Sequence, residues 1–409
     1  MRKILIHSLI FSPDGVSTAY LYNDIALRFK KEGYDVVVLT TTPHYNVLQE
    51  QLLKQPLKWK VWGVFKESTF NGIRVYHIPQ KKFKNTLLRL IGFVYWHIIA
   101  FILGLSIKNI DVILSPSPPL TIGVINLWLS KIKGCKVVYN VQEIYPDILR
   151  KKEGFIFNFL RKMERYVYNS SDAVTTIDKV FYDTIVERFD DRKRLHIIPN
   201  FVDTDLYKPG ASQNKLDRSI FPLNNNIKLL YAGNIGFAQD WEPLVQLAIK
   251  TRLYPIEYFV IGEGVMKGYL EDAIVKNGLC KVHVLPYQPR ESIPSIIEYS
   301  DLQFIFMNPE MDKQGFPSKV YTIMACAKPL LVCSSEGTPI VNFLRQYNCS
   351  KVVTETDMEL KVEEMYRWLI QVTKQELIHL GNNGLDVIRN TYTKEIVTKQ
   401  YVNLIEELR

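Results

Sequence analysis

Cysteine is sparse in this 409-residue chain: five residues, at 135, 280, 326, 333 and 349. The count is odd and no two stand in a CxxC spacing. That excludes metal-finger and disulfide-scaffold folds and points to a reducing compartment. Glycine and proline are modest, 20 of each, which excludes collagen-like, low-complexity and disordered classes. The apolar run after the basic N-terminus is broken by His7 and Ser8, and no small-residue cleavage site follows, so the segment reads as a first β-strand rather than a signal peptide. His7, His44 and His97 lack partners at ligand spacing, and no metal site or cofactor is expected. No RNA- or DNA-binding motif occurs, so no nucleic-acid partner is expected.

What remains is an ordinary folded composition, 47% hydrophobic and 23% charged, with a net charge of +9. The length suits two or three domains at about 150 residues each. The mild basic excess fits nucleic acid, anionic lipid or phosphorylated substrates and does not choose among them. Strand-like runs alternate with helix-length segments. Lys3–His7 and Val36–Leu39 are apolar strands around a helix at 18–31, and Asn71-Gly72 marks a hairpin turn before Ile73–Ile78. Asp111–Leu114, Lys136–Val141, Ala173–Ile177 and Leu195–Ile198 complete a first parallel α/β domain. The pattern restarts at Lys228–Tyr231 and continues through Glu257–Ile261, Lys281–Leu285, Asp301–Phe306, Leu330–Cys333 and Lys351–Val353. Ser171-Asp172 and Ser300-Asp301 echo each other, each closing a helix and introducing a strand. The expected division is 1–199, 200–391 and a helix 392–409 returning to the first domain. Ligands of such sheets sit at the strands' carboxyl ends, and two facing domains are expected to enclose a cleft.

Three segments have chemical promise. Gly15, in the loop Ser12–Ser17, allows close backbone approach ahead of a helix N-terminus. Gly262-Glu263-Gly264 with Gly268 has a GxGxxxG spacing, a poor match to a dinucleotide fingerprint and a better one to a tight strand-to-helix turn. The stretch Asn308–Lys319 ends at a helix start, where Ser318 is a candidate cap and Lys319 a candidate diphosphate contact.

The pieces Ser12-Pro13-Asp14-Gly15, Ile198–Asp203, Tyr231-Ala232-Gly233-Asn234, Val260–Gly264 and Met324–Pro329 resemble, in order and spacing, the retaining GT-B glycosyltransferases of family 4. Tyr231–Gly236 with Ala238-Gln239, Pro317–Tyr321 and Gln142–Asp147 are similar to the WbuB-like bacterial polysaccharide enzymes. The resemblance implies a GT-B fold of two Rossmann-like domains facing a cleft, and a UDP-sugar donor held mainly by the second domain. Gly15 would meet the donor phosphate. Asn234 stands where many relatives carry an arginine, leaving Lys319 and Ser318 as diphosphate contacts. The base would lie near Leu285–Gln288, beside Tyr287. Two family glutamates, facing the donor sugar and the ribose, are here Gln314 and Thr322, flanking Gly315 and Phe316, with Glu310 or Asp312 as substitutes. A single hydroxyl cannot bind two ribose hydroxyls as a carboxylate can.

Glu143, at the end of a buried strand, is the candidate catalytic carboxylate; its plain alternative is a helix cap before Pro146. Leu87–Ile107 approaches a membrane span in length, but Arg89 and His97 interrupt it. Preceded by Lys81, Lys82 and Lys84, and with Tyr95 and Trp96 inside, it reads as a buried or interfacial helix. The expectation is a cytoplasmic enzyme, peripheral on the inner membrane, that moves an N-acetylated or 6-deoxy amino sugar to a polyprenyl-diphosphate-linked or other glycan acceptor in surface polysaccharide, lipopolysaccharide or capsule synthesis. The rivals are a sugar-nucleotide epimerase and a non-catalytic sugar-nucleotide binder.

Overall fold

Runs of β-branched and aliphatic residues with both faces buried build two separate sheets, and the intervening amphipathic segments cover them. The computed structural model describes residues 2–47, 49–80, 86–147, 149, 153–212, 216–312 and 315–408. Two compact units emerge, one of residues 1–200 with 395–409, the other of residues 201–394.

The first unit runs β1 (Lys3–His7), α1 (Ser17–Lys31), β2 (Asp35–Thr41), α2 (Gln49–Lys54), β3 (Lys58–Lys60), β4 (Phe65–Phe70), β5 (Ile73–Ile78), α3 (Thr86–Ser106), β6 (Val112–Ser117), α4 (Leu120–Lys133), β7 (Lys136–Val141), α5 (Phe155–Ser170), β8 (Ala173–Thr176), α6 (Lys179–Ile185) and β9 (Leu195–Ile197). Its sheet order is β3-β4-β5-β2-β1-β6-β7-β8-β9. The sheet is not wholly parallel as the sequence suggested, because β3, β4 and β5 pair antiparallel at one edge. The β4–β5 turn is the expected Asn71-Gly72, both residues at positive φ. The order reverses between β1 and β6, so the loops after those strands flank a topological switch.

The second unit runs β10 (Ile227–Ala232), α7 (Glu242–Thr251), β11 (Ile256–Ile261), α8 (Lys267–Asn277), β12 (Val282–Leu285), α9 (Ile293–Tyr299), β13 (Leu302–Phe306), α10 (Lys319–Ala325), β14 (Leu330–Cys333), α11 (Pro339–Leu344), β15 (Ser350–Val353), α12 (Met358–Gln371) and α13 (Lys374–Val387). All its strands are parallel, in the order β12-β11-β10-β13-β14-β15. This is the 3-2-1-4-5-6 order of dinucleotide-binding sheets, with its switch between β10 and β13. The last helix, α14 (Lys394–Glu407), packs in the first unit, where the Tyr401 hydroxyl lies 3.0 Å from Asn140 Nδ2, its donor.

One device aligns strands in both sheets. Asp172 accepts from Val137 N at 2.9 Å, and its own N–H donates to Val137 O at 3.0 Å. Asp301 does the same with Lys228, at 2.9 and 3.0 Å. Ser171 and Ser300, just before, each return a hydroxyl to the preceding helix. The echo seen in the sequence is therefore one clamp used twice, and Asp111 repeats its aspartate half against Lys3, at 2.7 and 2.9 Å.

Candidate functional site

The second unit brings Tyr231, Gly233 and Lys319 together at its switch. Lys319 opens α10, reaches back to the end of β10 and donates to Ala232 O at 3.1 Å. Its ammonium lies 3.6 Å from the centre of the Tyr231 ring. The Tyr231 hydroxyl donates to Asn234 O at 2.8 Å, fixing the loop after β10. A Cβ on Gly233 would fall 2.5 Å from Lys319 Nζ, so glycine leaves the ammonium its seat. Among the described residues no carboxylate pairs with Lys319, and the dense packing around its ammonium lowers its pKa to about 7. Burial therefore disfavours the charged form of this lysine at the strand's carboxyl end, and no opposite charge offsets it among the described residues.

The Gly262-Glu263-Gly264 turn has a different duty. A Cβ on Gly262 would meet Gly233 O at 1.8 Å, and one on Gly264 would meet Ile235 O at 2.1 Å. Gly233 N donates to Ile261 O and Ile235 N to Glu263 O, both at 2.9 Å. The glycines let the loops after β10 and β11 stack backbone to backbone, which is the tight-turn reading of the motif. Asn234, on this stack, is exposed, and Tyr287 is half-exposed just after β12.

The loop before α10 differs from expectation. Gln314 lies outside the described residues. Asp312 is fully buried and accepts from Ser335 N at 2.7 Å and Ser334 Oγ at 3.3 Å. It is a strut of the neighbouring turn and does not replace the family carboxylate; Glu310 is exposed. Ser318 does not cap α10: its backbone is already helical and its side chain accepts no cap bond. Phe316 packs edge-on against Phe343 and tilted on Tyr321, 5.1 Å from each, so its ring serves the core. Gly315 has open space around it, and Thr322 is half-buried on α10.

In the first unit, Asp14 is buried and its Oδ1 accepts from His44 N at 2.8 Å and Tyr45 N at 2.7 Å. Gly15 N donates to Tyr45 O at 2.9 Å, and a Cβ there would fall 2.4 Å from Asn46 O. Glycine is demanded at 15 by this neighbouring loop. The Asp14 latch was not read from the sequence; an aspartate followed by glycine just before a helix is its only mark.

Glu143 follows β7 and is half-buried, with no hydrogen bond or ion pair among the described residues. Burial raises its pKa above the ordinary carboxylate range. It is not a helix cap, because the next helix, α5, begins at Phe155 behind Gly154. Beneath it, Tyr22 donates to Asn140 Oδ1 at 2.6 Å, Gln142 donates to the same atom at 2.9 Å, and Asn200 donates to Gln142 at 3.0 Å. Beyond it, Asp147 is bound by Arg161 and Arg188, which also hold the fully buried Glu164. The loop bearing Glu143 is thus pinned on both sides, while its carboxylate has no partner among the described residues. Among the described residues no group of three or more His, Cys, Asp or Glu could hold a metal ion.

Residues 19–206 match the family described as Glycosyltransferase Family 4. WcaI of Escherichia coli (strain K12), named as a colanic acid biosynthesis glycosyl transferase, is 22% identical over 418 residues, spanning 98% of this chain and 99% of its own. WbjE of Pseudomonas aeruginosa, named as a glycosyltransferase, is 20% identical over 308 residues, 73% of this chain and 75% of its own. Among solved structures, HepE of Anabaena in complex with UDP and glucose matches with a TM-score of 0.72 at 14% identity, over 100% of both chains. The expected GT-B architecture of two Rossmann-like units is the one found.

Proposed function

We propose that this protein is a glycosyltransferase that moves a sugar from a UDP-sugar to a lipid-linked glycan in bacterial surface polysaccharide synthesis, with retention, as a member of the WbuB-like group. The names of WcaI and WbjE support the reaction class, and UDP in HepE supports the donor. The observation that carries the reading is Lys319, a cation without a carboxylate partner among the described residues, set over Tyr231 and Gly233 at the switch of a dinucleotide-type sheet. In this reading the donor diphosphate takes the ammonium, and Asn234, Gly315 and Thr322 line the nucleotide and sugar. Tyr287 borders the base, and Gly15 borders the phosphate. Glu143 orients the donor sugar or accepts the acceptor's proton, a role its raised pKa suits. The enzyme works at the cytoplasmic face of the inner membrane, where a polyprenyl-diphosphate glycan is presented.

A second reading, a non-catalytic sugar-nucleotide binder, draws on Asp312, which is bonded away into the 334–335 turn. Turnover of radiolabelled UDP-sugars with membrane extract separates the two: transfer to lipid supports the enzyme, and tight UDP binding without transfer or hydrolysis supports the binder.

A further inference from the structure

Between β3 and β4 the chain makes a turn that holds a tryptophan in water. Val61 and Trp62 both have left-handed backbones, with φ of 43° and 53°, a conformation unfavourable for branched and bulky residues. Trp62 is fully exposed, and Trp59 and Val61 are largely so. The root of this turn is fastened to α3. Phe65 and Val64 share an apolar cluster with Trp96 and Ala100, and the Tyr95 hydroxyl donates to Val64 O at 3.4 Å. Trp96 is wholly in the core, whereas Ile91, Tyr95 and Ile98 on α3 are exposed. Lys81, Lys82 and Lys84 lie outside the described residues.

Charge is segregated in the same stretch. Residues 51–142 hold thirteen lysines and arginines against two carboxylates, Glu67 and Asp111, whereas the rest of the chain holds 38 basic against 40 acidic residues. The chain's basic excess thus falls, along the sequence, within the stretch that contains the turn and α3. Lys58 and Lys60 flank Trp59 directly, and Lys66 lies over its ring at 4.6 Å.

We propose that the Trp59–Trp62 turn and the outer side of α3 form one docking surface for an anionic lipid bilayer, with the two tryptophans entering the headgroup layer. Tryptophan favours that layer, and neighbouring lysines are drawn to anionic headgroups. A second copy of the chain would set like charges against each other. No helix among the described residues is long and apolar enough to cross a membrane, so the surface lies on the bilayer. This deepens the lipid-linked acceptor reading, and its test reads vesicle binding, which is separate from sugar transfer.

The experiment is co-sedimentation of the full chain with vesicles of phosphatidylcholine, alone or mixed with phosphatidylglycerol, at low and high salt. Binding is expected to need the anionic lipid and to weaken in salt. Trp59→Ala/Trp62→Ala should lose about tenfold or more of it, with the circular dichroism spectrum and UDP affinity unchanged. Lys58→Glu/Lys60→Glu should erase the preference for anionic vesicles. Trp62→Ala alone, at a fully exposed site, guards against a folding defect and should show a smaller loss in the same direction. Absence of binding to the anionic vesicles, or full binding by the double tryptophan variant, overturns the proposal. A concentration-dependent dimer that Trp62→Ala abolishes would assign the patch to a second copy and also overturn it. Vesicle binding without sugar transfer would leave this surface standing and remove the proposed enzyme.

Discussion

Lys319 rests its ammonium 3.6 Å from the centre of the Tyr231 ring, the two residues joining the start of α10 to the end of β10. Their contact sets up the first prediction. Lys319→Ala should weaken UDP binding by about 1.5–3 kcal/mol, the worth of a charge-assisted hydrogen bond, read by calorimetry. Unchanged affinity would remove Lys319 from the donor site.

The same lysine gives a pH signature. Its pKa, lowered to about 7 by desolvation, lies below the unfolded value. The unfolded chain then binds more protons from about pH 7 up to the ordinary lysine range, so this group's contribution to stability rises with pH across that window. For UDP the sign is opposite. The diphosphate favours the charged ammonium, so affinity should fall as pH rises above about 7. Lys319→Arg, whose guanidinium stays charged, should flatten that fall. An equally steep profile in Lys319→Arg would place the titrating group elsewhere.

Glu143→Gln keeps shape and hydrogen-bonding capacity but removes basicity. Turnover should drop about 10²-fold or more, the usual worth of a positioned acid or base. Stability should not suffer. Burial raises the folded pKa of Glu143, so its charge opposes folding at neutral pH, and the variant should melt no lower than the parent there. In acid, where both states are protonated, the difference should vanish. A normal rate would end the catalytic assignment.

Gly262 and Gly268 belong to one sequence motif yet should respond oppositely to alanine. At Gly262 the new Cβ would meet Gly233 O at 1.8 Å, on a backbone with φ of 151°. A loss of about 2 kcal/mol or more is expected. At Gly268, on α8 with open space around it, alanine should stabilise by up to about 1 kcal/mol. Thermal melting of both variants reads the contrast; equal shifts would deny the loop stack its role.

Glu164→Ala tests the buried ion cluster. It leaves Arg188 and Arg161 with Asp147 alone, and a cost of about 3–5 kcal/mol is expected from the stranded charge. Proteolysis of the folded chain should then open the segment after β7 first. Unaltered melting and protection would show the cluster to be dispensable.

The strands were legible because burial on both faces writes continuous apolar runs, and the Asn71-Gly72 turn because left-handed residues are few in kind. Lys319 was legible as a cation in a loop-to-helix segment. Its bond to Ala232 O was not, because 87 residues separate the partners and only the sheet order brings them together. Asp312 looked available from its place in the loop, yet its destination, Ser335 N, is set by the packing of the turn after β14. Ser318 looked like a cap by residue type, but a cap needs an extended backbone and Ser318 is helical. Trp96 and Tyr95 are adjacent letters with opposite fates, because helical rotation turns one to the core and the other to water.

The aspartate clamps at Asp111, Asp172 and Asp301 bear on how such a protein can diverge. Each joins a strand to its neighbour at the amino-terminal edge, away from the loops that carry Lys319 and Glu143. With alignment secured from behind, the opposite rim is free to drift: loops there can lengthen, shorten or exchange residues without shifting the sheet. A lineage built this way can change what it recognises while inheriting its scaffold intact.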